Sequence, residues 1–319
     1  MRLKSFAIVV VGILWAAAAV AQSAKRASSA ACDRACLERF VNQYLEALVA
    51  RDPFGLPLAP KIKFSENDQQ LPFGDGLWNT ATGLGTYKLY VADPQAGQVA
   101  FIGTLRENGT PIALALRLKI ENRRISEAET LVVREEASAK NIEALGQPDP
   151  VFRETASSTE RASRRDLIAI ANKYFEGVER GSGDIVPFDP DCNRIQNGTQ
   201  TTNNSNVKYP SESWNVLALG CKDQINTKFF TFIEKVHPRR FLVVDDERNL
   251  VFGFFMFQIP GTVKSVDVAG HGIVPMDPSN LSPYTLDVAE LYKIKVGRIR
   301  KIEALQTRLP YGTPSPFER

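Results

Sequence analysis

Two stretches of the chain carry side chains able to move a proton. In VHPRRF, His237 is followed by Arg239 and Arg240, and in AELYKIK, Glu290 and Tyr292 stand two residues apart. A histidine titrates near neutral pH, and a neighbouring guanidinium holds a carboxylate or an enolate. Residues two apart on a strand share a face. An earlier pair is Tyr44, in a helical stretch, and Glu66, in KIKFSENDQQ. An inward phenol beside a partly desolvated carboxylate is equipped to shift a proton at a carbon next to a carbonyl. The candidate catalytic residues are therefore Tyr44, Glu66, His237 and Glu290. Arg239 and Tyr292 are candidate substrate contacts, as are Asp75 and Trp78 of GDGLWNT, where the indole offers a stacking surface at a cavity mouth.

Each of these residues also has a plainer reading. Tyr44 fits a core aromatic, Glu66-Asn67 and Gly74-Asp75-Gly76 fit turns, and HPRR fits a solvated entry to a strand. A strand shifted by one residue would turn Glu290 and Tyr292 to the other face. Other chemistries find less to work with. The chain has only two histidines, His237 and His271, its serines show no nucleophile elbow, and its glycines show no phosphate-binding loop.

The elements that must position these residues are written twice. CLERFVNQYLEALVARDP lies alongside RDLIAIANKYFEGVERGSGD, with Tyr44 opposite Tyr174 on a helical period. KIKFSENDQQ matches DCNRIQNGTQ, so Glu66-Asn67 corresponds to Gln196-Asn197 and the second copy lacks the carboxylate. YVADPQAGQVAFIG matches LVVDDERNLVFGFF, with Asp93 opposite Asp245. ALRLKIENRRISEAE matches AELYKIKVGRIRKIE, which sets Leu116 and Leu118 opposite Glu290 and Tyr292. Four blocks in one order mark an internal duplication. Each copy runs helix, loop, then long strands joined by hairpins, which predicts an α+β chain of two tandem cone-shaped domains, each with helices packed on a curved antiparallel sheet. The first cone is expected over 31–135 and the second over 164–310, with a polar, Pro-containing linker or wrapping connection at 136–163. Two long insertions in the second copy are placed to cover a pocket or a partner surface.

The first residues belong to targeting. MRLK, the apolar run FAIVVVGILWAAAAV and Ala19-Val20-Ala21 read as a signal peptide over 1–21. The run falls short of the roughly 20 residues of a spanning helix, so a secreted or periplasmic product without stable membrane insertion is expected. A formal charge of +3 with acids and bases interleaved gives no stripe for nucleic acid. Four cysteines in an exported chain suggest oxidised pairs, and Cys32 with Cys36 and Cys192 with Cys221 are the local choices. The spacings lack zinc-ligand patterns, so neither a metal nor another cofactor is expected.

With these blocks in order, the chain resembles the nuclear transport factor 2-like superfamily, specifically SnoaL-like cone domains in tandem. The wording of GDGLWNTATGLGTYKLYVADPQAG and RRFLVVDDERNLVFGFFMF is similar to a poorly characterised secreted family of fungi and bacteria. The resemblance implies a cone enclosing an apolar pocket, and activities that range from isomerases, cyclases and lyases to proteins without catalysis. Tyr44 resembles in position the helix-borne tyrosine of ketosteroid isomerases, and Glu66 lies near the place of their general base. The expected function is a cofactor-independent lyase, isomerase or cyclase acting by proton transfer on a small apolar or aromatic metabolite. The rival expectation is a noncatalytic secreted ligand-binding or scaffold protein.

Overall fold

The computed structural model describes residues 32–209 and 214–318, so the expected signal at 1–21 lies outside the described residues. Helix α1 (Arg34–Ala50) buries Leu37, Phe40, Val41, Tyr44, Leu45 and Leu48, a spacing of three and four that puts them on one face. Asp33 caps its start through the backbone N–H of Cys36, and Arg51 ends it in the left-handed region. Strands β1 (Leu58–Glu66), β2 (Gln69–Gln70), β3 (Ala81–Asp93), β4 (Gln98–Glu107), β5 (Thr110–Glu121) and β6 (Arg124–Val133) follow.

The connection holds helix α2 (Glu136–Ala144), which packs on the first sheet through Ala139 and Ile142. The second copy then repeats the first. Helix α3 (Arg164–Arg180) leads to β7 (Phe188–Gln196), β8 (Thr199–Gln200), β9 (Lys235–Asp245), β10 (Leu250–Ile259), β13 (Tyr284–Lys295) and β14 (Arg298–Pro310). The insertions supply the short helix α4 (Cys221–Asn226) and the hairpin β11 (Ser265–Val268) and β12 (Gly272–Pro275).

The two six-stranded sheets have the same order, β2-β1-β6-β5-β4-β3 and β8-β7-β14-β13-β10-β9. Each departs from the expected all-antiparallel pattern at one place, because β1 runs parallel to β6 and β7 runs parallel to β14. Asn67 and Asn197 anchor the end of each parallel pair. Both adopt a positive φ in the turn after the parallel strand, and each side chain exchanges two hydrogen bonds with the neighbouring backbone, at Val132 and at Gln306. Asparagine is one of the few residues that tolerates that conformation while its amide mimics a strand partner.

Alternation along β5 divides the faces. Ile112, Leu114, Leu116, Leu118 and Ile120 join α1 in the first cone, while Ala113 and Ala115 face the other way. There they meet Phe252, Phe254, Ala289 and Leu291 of the second copy. The two sheets therefore pack back to back, and Ile142 and Phe152 of the connection fill the same core. Each large apolar side chain so buried contributes about 1.5–3 kcal/mol.

Candidate functional site

The second cone contains a charged cluster inside its apolar wall. Arg194 of β7 donates through Nε to Glu290 Oε1 at 3.0 Å, and the Tyr292 hydroxyl donates to Glu290 Oε2 at 2.5 Å. Glu290 and Tyr292 are 0 % exposed and Arg194 is 9 % exposed. The strands account for the meeting. Arg194 lies beside Ile302 in the parallel pair, Ile302 lies opposite Tyr292, and Glu290 follows on the same face of β13. An ion pair taken out of water survives only when its remaining polar atoms are bonded, and this one is tied at both carboxylate oxygens.

Around the pair stand further polar groups. Arg194 Nη1 donates to Gln196 Oε1 and, at 3.4 Å, to Thr201 Oγ1, while its backbone N–H donates to Thr202 Oγ1 at 2.8 Å. Tyr174 of α3 stands near enough to Arg194 for the guanidinium and the phenol to act on each other's charge. The Tyr174 ring meets Tyr292 edge-on at 5.7 Å and also touches Phe175 and Phe188. Burial pushes the Tyr174 phenol up to about 12, with the Arg194 charge pulling the other way. Burial, then the nearby Glu290 carboxylate, raises the Tyr292 phenol well above its ordinary value. Burial works against charge on Arg194, but Tyr174, Glu290 and Tyr292 more than offset it and hold the guanidinium firmly protonated. The phenols are thus neutral donors near pH 7, set beside one carboxylate and one fixed cation.

The insertions border this cluster. Cys192, on the strand that carries Arg194, is bonded to Cys221 at the start of α4. From α4, Gln224 donates to the carbonyls of Thr201 and Val216. Beyond it, Phe229, Val266, Val268 and Met276 form a small core of their own with Trp214. Cys32 and Cys36 form the second disulfide, so both expected pairs are present.

The equivalent positions of the first cone are apolar. Register places Phe64 beside Ala128, Ala128 opposite Leu118, and Leu116 on the same face, matching Arg194, Ile302, Tyr292 and Glu290. Tyr44 is buried against Trp78 at 5.0 Å and Phe73 at 6.2 Å, and burial raises its phenol. Glu66 accepts from the Leu77 N–H at 2.7 Å and from Arg134 at 2.7 Å, so each oxygen already has a donor. Trp78 belongs to this core rather than to a cavity mouth, because the short turn Gly76–Asn79 folds its ring inward. Asp75 precedes that turn, exposed and without a capping bond.

His237 stands on the surface, 66 % exposed, with Nε2 at 3.2 Å from Glu318. That position corrects the expectation of an inward histidine, since β9 begins at Lys235 and presents His237 outward. Arg239 is spent on the Val236 carbonyl, Asn172 and Glu179, and Arg240 turns toward the other sheet to meet Glu129. His271 lies at the insertion, its ring 4.9 Å from Trp214. The structure therefore brings Glu290 and Tyr292 together and leaves His237 and Arg239 apart from them. Arg194 is the member that sequence reading missed. The signal for it was present, because aligning Glu66 with Gln196 sets Arg194 opposite Phe64.

Among the described residues, no group of three or more His, Cys, Asp or Glu is placed to hold a metal ion. Nor is any helix there long and apolar enough to cross a membrane.

Residues 160–306 match a family described as a domain of unknown function, DUF8021. A comparison with curated proteins finds no match. Among solved structures, the epoxide hydrolase/cyclase-like enzyme SalBIII, of pyran ring formation in the polyether salinomycin, is 11 % identical. That match covers 46 % of this chain and 93 % of that one with a TM-score of 0.29. A putative isomerase from Bacillus subtilis is 10 % identical over 45 % of this chain and 87 % of that one, with a TM-score of 0.27. PrhC from Penicillium brasilianum NBRC 6234 is 15 % identical over 46 % of this chain and 83 % of that one, with a TM-score of 0.24.

Proposed function

We propose that the chain is an exported protein whose second cone binds a small apolar or aromatic metabolite and moves a proton on it without a cofactor, as an isomerase, lyase or cyclase. The observation that carries this reading is the Arg194–Glu290–Tyr292 cluster, on the inner face where the first cone has Phe64, Leu116 and Leu118. A buried ion pair adds little stability compared with well-packed apolar side chains, so its presence favours a chemical role. Two disulfides fit an oxidising compartment outside the cytosol.

In this reading Glu290 takes a proton from a carbon next to a ligand carbonyl. The C–H electron pair moves to the carbonyl, and the resulting enolate oxygen accepts hydrogen bonds from Tyr174 and Arg194 Nη2. Return of the proton from Glu290 to another carbon gives isomerisation, and expulsion of a leaving group gives elimination. Tyr292 holds the carboxylate in place. The ligand is uncharged at the reacting end, because Glu290 already balances the one cation there.

The test is solvent exchange. The mature protein is screened by native mass spectrometry against small aromatic and alicyclic ketones, and bound compounds are followed by proton NMR in D2O. Deuterium entering next to the carbonyl faster than in buffer, and lost in Glu290→Gln while binding persists, supports proton transfer. Bound compounds that leave unexchanged point to the alternative, a noncatalytic secreted carrier. Glu290→Gln exchanging as fast as wild type refutes the assignment of the base.

A further inference from the structure

We propose that the two copies are latched by a shared proton: Asp68 of the first and Asp287 of the second form a carboxyl pair, roofed by the C-terminal segment, that ties the copies together when one member is protonated and loosens them when both are ionised.

The pair lies between the sheets. Asp68 occupies the turn between β1 and β2, and Asp287 sits on the outward face of β13, between Met256 and Thr307 of its neighbouring strands. Both are more than nine-tenths buried, and Oδ1 of each meets no fixed N–H or O–H donor among the described residues. Each has the other within hydrogen-bonding reach, but a carboxyl donates only when protonated. Ser65 Oγ, fully buried and beside Glu129 in the β1–β6 pair, is also unpartnered.

Among the described residues, the one cation that faces both aspartates is already engaged. Glu129 of β6 and Arg240 of β9 face both aspartates, and Ser315 lies against Asp68. Arg240 is committed to Glu129, which also takes Arg117 Nε at 2.9 Å, and Arg117 of β5 goes on to Glu127 at 2.7 Å. Arg240, the guanidinium that faces both aspartates, is thus already matched by Glu129. A second ionised aspartate would be an unpaired buried charge, whereas one proton makes the two a hydrogen-bonded pair. Burial first, then Glu129, pushes Asp68 up to about 6, against the pull of Arg240, and burial and Asp68 raise Asp287 well above the carboxylate range.

The C-terminal segment closes the chamber and touches both copies. Lys63 of β1 donates to the Pro316 carbonyl, and the Phe317 ring faces Lys63 at 4.7 Å, Arg117 at 4.9 Å and Arg240 at 5.6 Å. Glu318 meets His237. The latch is confined to one side of the molecule. The position equivalent to Asp68 in the second copy is Gly198, at φ 78°, where a Cβ would meet the Ile142 backbone at 2.4 Å.

The folded chain keeps its proton to a higher pH than an unfolded aspartate does. The stabilisation is therefore fully present below about pH 4 and is lost as pH rises through the folded values. The test is urea unfolding of the mature protein between pH 5 and 8, with hydrogen exchange of residues 313–318. Wild type is expected to lose stability as pH rises, and Asp287→Asn, which donates permanently, to flatten that slope by up to about one proton and exceed wild type at pH 8. Exchange in the segment, corrected for intrinsic rate, should quicken at pH 8 in wild type only. Asp68→Asn repeats the measurement from the other side and decides the matter if Asp287→Asn does not fold. Glu303, another buried acid between the copies, is raised to about 7 by burial and is shared by all variants, so the difference from wild type is what counts. A wild-type slope in whichever of the two variants folds overturns the latch.

Discussion

Arg164, at the start of α3, reaches Asp93 Oδ2 at 2.5 Å, so the helix of the second copy is tied to a hairpin turn of the first. Arg34, at the start of α1, returns the contact to Asp245 at 2.6 Å. Both aspartates are 1 % exposed at the side chain and also accept backbone N–H groups, from Ala96 and Val244 at Asp93 and from Arg248 at Asp245. The duplication has thus placed the same arginine and the same aspartate in each copy and joined them crosswise.

Removing one arginine leaves a buried carboxylate short of its charge partner. Arg34→Ala is expected to cost about 1–3 kcal/mol, and Arg34→Lys to recover only part, because Arg34 uses two nitrogens on the two oxygens of Asp245. Arg164 is a third exposed, so Arg164→Ala should cost less. Urea unfolding midpoints at pH 7 check the order of the three.

Converting the second cone toward the first separates stability from chemistry. Glu290→Leu alone strands the Arg194 charge and should destabilise by about 3–5 kcal/mol. Arg194→Phe with Glu290→Leu and Tyr292→Leu copies Phe64, Leu116 and Leu118, and is expected to restore most of the loss while abolishing ligand exchange. Thermal melts of the single and triple variants read the first effect, and NMR in D2O reads the second.

The two disulfides should contribute unequally. Cys192–Cys221 spans 29 residues and is expected to add on the order of 3 kcal/mol by loop closure, whereas Cys32–Cys36 spans four and should add much less. Cys221→Ser is predicted to lower the melting temperature and weaken ligand retention, since its partner lies two residues before Arg194. Thermal shift with and without ligand tests both halves.

Short-range patterns were legible in the sequence. The apolar spacing around Tyr44 and Tyr174, the turns at Asn122-Arg123 and Val296-Gly297, and the alternation that set Glu290 and Tyr292 on one face all depend on neighbours along a strand or helix. What crosses between elements was not. Arg194 gains its meaning only when β7 lies parallel to β14, a pairing between strands a hundred residues apart. HPRR read as chemistry because its composition suits chemistry, yet β9 sends His237 to solvent and Arg240 to the opposite sheet. The polar run at 136–163 read as a linker or a wrapping connection, and the burial of Ile142 and Phe152 in the inter-sheet core lay beyond that reading. A few large apolar residues scattered among many polar ones leave no period to detect.

Back-to-back sheets in one polypeptide remove a restriction that two identical subunits would face. In a symmetric pair every substitution appears on both sides, so a charged cluster placed in one cavity must be tolerated in its twin. Here Leu116 and Leu118 remain hydrocarbon while Glu290 and Tyr292 do not, and the shared core between the sheets joins the outcomes. One interior can carry buried charge while the other stays apolar at the matching positions and supports it.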